Sequence, residues 1–238
     1  QRRDQARVAH DRVERVAVAR AGANVKFVGT VGDDDLGTRA RASLELEGIN
    51  VEGLSNVKRA TGVALIAVDQ HGQNQISVAP GANNALSASH VEQSSALIES
   101  ANVLVTQLES PLEAVVRALE VAKSAGLMTV LNPAPVRSLP KGVPGLVDVL
   151  VANEVEAAAL VGSPVRTIPE VRKALDALEA IGYACPIITL GRRGVMYREN
   201  GRIGRVKALP VTAIDATAAG DTFVGYLSAS LAHGETLK

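Results

Sequence analysis

Short apolar runs alternate with stretches in which apolar side chains recur three or four places apart. Val25 to Val28, Val103 to Leu108, Thr129 to Leu131, Val149 to Val151 and Ile187 to Leu190 are the runs. The first precedes a helical pattern from about Leu36 to Glu47, the second one from about Leu112 to Ala125. Repeated strand–helix alternation predicts an α/β fold, a mostly parallel sheet with helices on both faces in three layers. In such sheets ligands gather beyond the carboxyl ends of the strands. Glu109, Asn132, Asn153 and Gly191 each follow a strand-like run, so they are expected along one edge.

One segment breaks the alternation. Val63 to Asp69 and Gln75 to Ala79 are strand-like and joined by Gln70-His71-Gly72-Gln73-Asn74, which predicts a β-hairpin with a polar turn. No repeat, low-complexity tract or interdomain linker interrupts the chain, and residues 1–238 read as one domain.

Near the end, Phe223, Val224, Leu227 and Leu231 recur at helical spacing, so a helix should begin close to Gly220. Ala218, Ala219 and Gly220 then form its entry. Small side chains leave their N–H groups uncovered, where a helix start has unsatisfied donors and a positive dipole end. Such a turn binds anions, phosphate above all. Asp221 would be repelled by that anion unless its task is to take a proton, which points to phosphoryl transfer onto a hydroxyl. Aspartate is also a common N-cap. On these residues alone both readings stay open.

Composition narrows the field. The chain has 238 residues, 47% of them hydrophobic, enough for one α/β domain with a sizeable core. Its 25 basic and 25 acidic side chains cancel, and two Phe, three Tyr and no Trp offer little for stacking on bases, which argues against nucleic acid. No apolar run approaches a membrane span and no signal-peptide pattern opens the chain, so a soluble cytoplasmic protein is expected. Cys185, ahead of an Ile-Ile strand, reads as a buried small hydrophobe. The four histidines are scattered and suggest no metal site.

Asp215-Ala216-Thr217-Ala218-Ala219-Gly220-Asp221-Thr222-Phe223 resembles the second signature of the ribokinase-like (PfkB) family of carbohydrate kinases. Further segments match in order from about Val16 to Lys238. They are Phe27-Val28-Gly29 through Gly37, Thr61-Gly62-Val63, Gly81-Ala82-Asn83, Gln107-Leu108-Glu109-Ser110-Pro111, Asn132-Pro133-Ala134-Pro135, Asn153-Glu154-Val155-Glu156 and Thr189-Leu190-Gly191-Arg192-Arg193-Gly194. The resemblance implies ATP-dependent phosphorylation of a small sugar, with ribose indicated by the segments at 107–111 and 132–135; another sugar or a nucleoside is the alternative substrate.

The same resemblance assigns roles. Asp221 becomes the general base, with Ala218, Ala219 and Gly220 as an anion hole for the transferred group. Asn153 and Glu156 organise Mg²⁺ through its waters, although their spacing also reads as a capping box at a helix start, and both can hold together. Thr189, Leu190, Gly191, Arg192, Arg193 and Gly194 form the nucleotide turn, with Asn153 and Gly220 also on ATP; the two arginines reach phosphate or are simply solvated. Glu109 bonds a sugar hydroxyl, or serves as a first-turn acid favoured by the helix dipole. Asp215 and Thr217 offer main-chain oxygens to K⁺. Residues 61–80 become a lid hairpin over the sugar, available to pair with a second subunit, or else are an ordinary edge hairpin that needs no function. Asp33, Asp34 and Asp35 read as capping residues rather than a metal cluster.

The resemblance fails at one end. Where the family has Gly-Gly-x-Gly-x-Asn, this chain has Val8, Ala9, His10, Asp11, Arg12 and Val13, which should obstruct the sugar pocket. The family's opening strand would precede Gln1 and its closing segment would follow Lys238. The abrupt gain of similarity near Val16 suggests a shifted reading frame or a truncated gene. A non-catalytic remnant that binds nucleotide only is therefore the competing expectation.

Overall fold

The computed structural model describes residues 12–68, 74–211 and 218–236, with the side chains of 12, 66–68 and 74–76 left out. The elements in chain order are α1 (Arg12–Arg20), β1 (Lys26–Gly32), α2 (Asp35–Leu46), β2 (Asn50–Val57), β3 (Val63–Val68) and β4 (Asn74–Ala79). They continue through α3 (Ala88–Gln93), α4 (Ser95–Glu99), β5 (Val103–Thr106), α5 (Leu112–Ser124), β6 (Met128–Leu131), β7 (Val149–Asn153), α6 (Glu154–Val161) and α7 (Ile168–Ile181). The last are β8 (Cys185–Thr189), β9 (Val195–Glu199), β10 (Arg202–Val206) and α8 (Ala219–Ala232). The chain falls into two compact units: the described residues as far as Leu97 together with those from 218 on, and the stretch from Ile98 to residue 211. No described helix is long and apolar enough to cross a membrane.

The second unit is built on a sheet of order β10-β9-β8-β7-β6-β5. Its strands β5 to β8 run parallel, and β9 and β10 add on as antiparallel neighbours. Successive parallel strands stepping one way across a sheet, with right-handed crossovers, put their connecting helices on one face. There Leu119 of α5 and Val171, Leu175 and Leu178 of α7 share a buried cluster with Leu131, Leu150 and Ile188 from the strands. Burying a leucine fully is worth about 1.5–3 kcal/mol, so this cluster anchors the unit. Strand residues of the opposite parity, Val130, Val149, Val151 and Ile187, are buried too, the two-sided burial that parallel strands require.

Edge strand β10 carries exposed Arg202 and Arg205, charges that discourage edge-to-edge pairing. It is reached from β9 through Asn200 and Gly201, at φ 50° and 74°, the left-handed pair that a tight hairpin needs. Cys185 is buried as expected, and burial, with Glu199 nearby, pushes its thiol up to about 12, so it stays neutral.

In the first unit β1 and β2 form a parallel pair with its own apolar cluster of Val31, Leu44, Ile49 and Leu54. Strands β3 and β4 make the expected antiparallel hairpin, with Val63 opposite Ala79 and Val68 opposite Asn74; its turn at 69–73 lies outside the described residues. Asp34 ties the base of the hairpin down. It caps α2 by accepting from the Gly37 amide at 2.8 Å and also accepts from the amide and hydroxyl of Thr61, at 2.8 and 2.5 Å. The Thr61 hydroxyl oxygen in turn accepts from the Gly32 amide at 2.9 Å, and Thr30 donates to the Ala82 carbonyl at 2.8 Å. The capping expectation for this aspartate is met, with an additional anchoring role.

The Thr61 hydroxyl first, then the Thr61 and Gly37 amides, hold the Asp34 carboxyl below its ordinary range. A depressed folded-state value means that the stabilisation is complete above the unfolded value of about 4 and is lost as pH falls through the folded one. Urea midpoints should therefore drop in acid more steeply for the unaltered chain than for Asp34→Asn. Parallel acid limbs for the two would show that this carboxylate carries no linkage.

Candidate active site

Helix α8 begins at Ala219, where the apolar spacing places it. Its N-cap is Ala218, whose methyl side chain cannot cap the first turn, and Asp221 is the third residue inside the helix. The simple N-cap reading of Asp221 is therefore not what the geometry shows. Ala218 holds φ 60° and ψ 17°, a left-handed conformation that costs a non-glycine residue about 1–2 kcal/mol. That twist turns the chain into the helix, and the Thr222 amide and hydroxyl both donate to the Ala218 carbonyl, at 3.0 and 2.9 Å. Ala219 and Gly220 are exposed, and a Cβ added to Gly220 would meet, among the described residues beyond its chain neighbours and its own helix backbone, no atom within 4 Å. The first-turn amides thus sit at the positive end of a helix that carries one carboxylate in its first turn.

On its other side α8 is fixed by close packing. A Cβ on Gly225 would lie 2.6 Å from that of Ala17 and 2.7 Å from the Glu14 carbonyl oxygen, so the glycine lets α8 cross α1 nearly backbone to backbone. Ser228 returns its hydroxyl to the Val224 carbonyl at 2.7 Å and is buried without cost. Asp215 and Thr217, expected to hold a monovalent cation, lie outside the described residues.

In the second unit Glu109, Asn132, Asn153 and Gly191 do stand at or just beyond the carboxyl ends of β5 to β8. Asn153 caps α6: its Oδ1 accepts from the amides of Val155 and Glu156, both at 2.9 Å. Glu156 reaches back to accept from the Asn153 amide at 2.8 Å and from its Nδ2 at 2.8 Å. Asn132 joins them. Its Nδ2 donates to the Val151 carbonyl at 2.8 Å and points a longer contact of 3.5 Å at Glu156. Asn132 is the member that the family resemblance did not assign; the signal was a polar residue directly after the apolar run Val130-Leu131. Because both Glu156 oxygens already accept protein donors, this hard-oxygen pair fits a magnesium ion through the ion's waters rather than by direct ligation.

The turn after β8 is self-closed. The Leu190 amide donates to the Gly194 carbonyl at 2.8 Å and the Gly194 amide to that of Gly191 at 3.0 Å. Thr189 points its hydroxyl at the Ala152 carbonyl, 3.5 Å away. Gly191 and Arg192 are exposed, whereas Gly194 is buried against β10. Arg193 is not simply solvated: it pairs with Glu154 and donates to the Arg166 carbonyl at 2.9 Å.

The second unit thus carries polar caps along the carboxyl edge of a mostly parallel sheet, and the first carries a helix start with an acid in its first turn. The model of the pfkB family of carbohydrate kinases matches residues 15–238, and the chain belongs to that family. It is 40% identical over 233 residues to a ribokinase of Schizosaccharomyces pombe, covering 94% of this chain and 73% of that protein. With a ribokinase of Haemophilus influenzae it shares 39% over 211 residues, 88% of this chain and 69% of the other. Among solved structures, a ribokinase of Cryptococcus neoformans in complex with ADP superposes with a TM-score of 0.77 at 30% identity, covering 94% of this chain and 75% of that one.

Proposed function

We propose that this chain carries an ATP-dependent sugar kinase activity, phosphorylating D-ribose to D-ribose 5-phosphate in the cytoplasm. The observation that carries this reading is the first turn of α8, entered through small residues, exposed at Gly220 and bearing Asp221. The two ribokinase relatives support the sugar, and the ADP complex of the third supports the nucleotide.

Asp221 accepts the proton of the primary hydroxyl as its oxygen bonds to the γ-phosphorus of ATP and the bridging oxygen leaves with ADP. The amides of the first turn, entered through Ala218, Ala219 and Gly220, stabilise charge on the transferred group; preorganised donors of this kind are the larger part of such catalysis. Glu109 orients the sugar. Thr189, Leu190, Gly191 and Arg192 border the nucleotide, with Gly194 and Arg193 shaping that turn from behind. Asn153 and Glu156 hold the waters of Mg²⁺, which supplies charge neutralisation of the phosphates when bound. A K⁺ requirement through Asp215 and Thr217 rests on the family resemblance. So does a homodimer through the β3–β4 hairpin, where Leu65 and Val78 are each 60% exposed.

The test is ADP release from Mg²⁺ and ATP with and without ribose. Ribose should raise the rate severalfold. Absence of any increment with ribose, other pentoses, ketoses or nucleosides would overturn the proposal. The second reading, a chain that binds nucleotide only, is favoured by Val8 to Val13 standing in place of the family's glycine motif. It expects ATP binding with no sugar dependence.

A further inference from the structure

Arg193 lies in the 3-10 turn Gly191–Arg193, between β8 and β9. Its guanidinium leaves that turn and reaches 39 residues back in sequence to Glu154, the first residue of α6. A second nitrogen donates to the Arg166 carbonyl at 2.9 Å. Arg166 directly precedes Thr167, the N-cap of α7, and the Glu170 carboxylate accepts from the amides of both Arg166 and Thr167, at 2.8 and 2.9 Å. One planar fork therefore joins three backbone segments: the turn after β8, the start of α6 and the start of α7.

Glu154 sits beside Asn153, and the Asn153–Glu156 box opens the same helix. The Arg193 and Glu154 side chains keep 39% and 34% of their exposure, so the Coulombic part of the pair is modest in water. What the fork adds is geometry, because a guanidinium presents its donors in a rigid plane and a lysine cannot span two acceptors in the same way.

We propose that Arg193 is a positioning residue that locks the 190–194 turn to the start of α6, so that the nucleotide turn and the Asn153–Glu156 box keep one spacing. The assignment of that spacing to Mg²⁺ and ATP rests on the proposed kinase activity; the mechanical coupling does not.

Amide hydrogen exchange of the full chain without ligand tests the coupling. Arg193→Ala should speed exchange at 190–194 and at 153–157 together, by about fivefold, with the rest of the sheet unchanged. Glu154→Gln, a milder change, should move the same two segments in the same direction. If 190–194 loosens while 153–157 stays as protected as before, the proposal is overturned. Full restoration by Arg193→Lys also overturns it, since charge without the fork would then suffice. In the ADP-release assay Arg193→Ala should raise KM for ATP about tenfold and leave KM for ribose within twofold, a split that general destabilisation does not produce. An equal rise in both overturns the positioning role. A chain that shows the exchange coupling yet binds no ATP would refute the kinase reading and leave this one standing.

Discussion

If Asp221 is the proposed general base, Asp221→Asn should lower the ribose-dependent increment in ADP release by roughly 10²–10⁴-fold, the usual contribution of a positioned general base. The change is nearly isosteric. It keeps a polar side chain at the third position of α8 and leaves the Ala218 turn and the Gly225 crossing untouched. It does remove a negative charge from the positive end of a helix, a loss of about 0.3–1 kcal/mol. The melting temperature should therefore fall by a few degrees at most while the sugar-dependent rate collapses. Measuring both on one preparation separates the two roles. If the variant keeps more than about a tenth of the increment, Asp221 serves the helix dipole, and the proton leaves by another route.

The second large effect concerns folding. Gly194→Ala should destabilise the chain by about 3 kcal/mol or more, from backbone strain and steric overlap together. Gly194 holds φ 87° and ψ −139°, a region that L side chains avoid. An added Cβ would stand 2.0 Å from the Val206 carbonyl oxygen and 2.7 Å from the Ala208 amide nitrogen, backbone atoms that cannot swing aside. Gly220 is the opposite case, with no positive φ and, among the described residues outside its own helix, nothing within 4 Å of a new methyl. Gly220→Ala should leave stability within about 0.5 kcal/mol. Urea unfolding of both variants checks the contrast. Equal stabilities would mean that the crossing of β10 behind the 190–194 turn is not as described.

The parts of the molecule legible in its residues are those whose cause is local. Strands β5 to β8 are apolar runs, and α6 announces itself by Asn153 and Glu156 at capping-box spacing. The start of α8 follows from apolar periodicity alone. Strand β2 was missed because Asn-Val-Glu-Gly-Leu-Ser-Asn-Val neither alternates nor runs apolar; its pairing with β1 carries it. Strands β9 and β10 were missed for a different reason. Arg202 and Arg205 stand on the edge strand and Arg198 of β9 pairs with Asp176 and Glu179, charges that mask the pattern, although Asn200-Gly201 is a strong hairpin signal that could have found them. In the site, the left-handed Ala218 was not legible because alanine gives no hint of positive φ. The Arg193 bridge joins residues too far apart in the chain for any spacing rule to pair them.

The first unit is discontinuous, and that has a consequence for how the protein is made. Helix α1 packs on α8, but the whole of the second unit is encoded between them. During synthesis at about 5–20 residues per second, α1 must wait on the order of ten seconds for its partner after the first strands have emerged. Meanwhile the second unit, contiguous in sequence, can close on its own cluster. The face of α1 at Ala17 that the Gly225 crossing later covers stays open throughout. Helix α8, which carries Asp221, is thus fitted after the rest of the described fold has been translated. A stalled or slowed ribosome would leave the second unit already folded and the first unfinished, the species on which chaperone dependence or aggregation of this protein should depend.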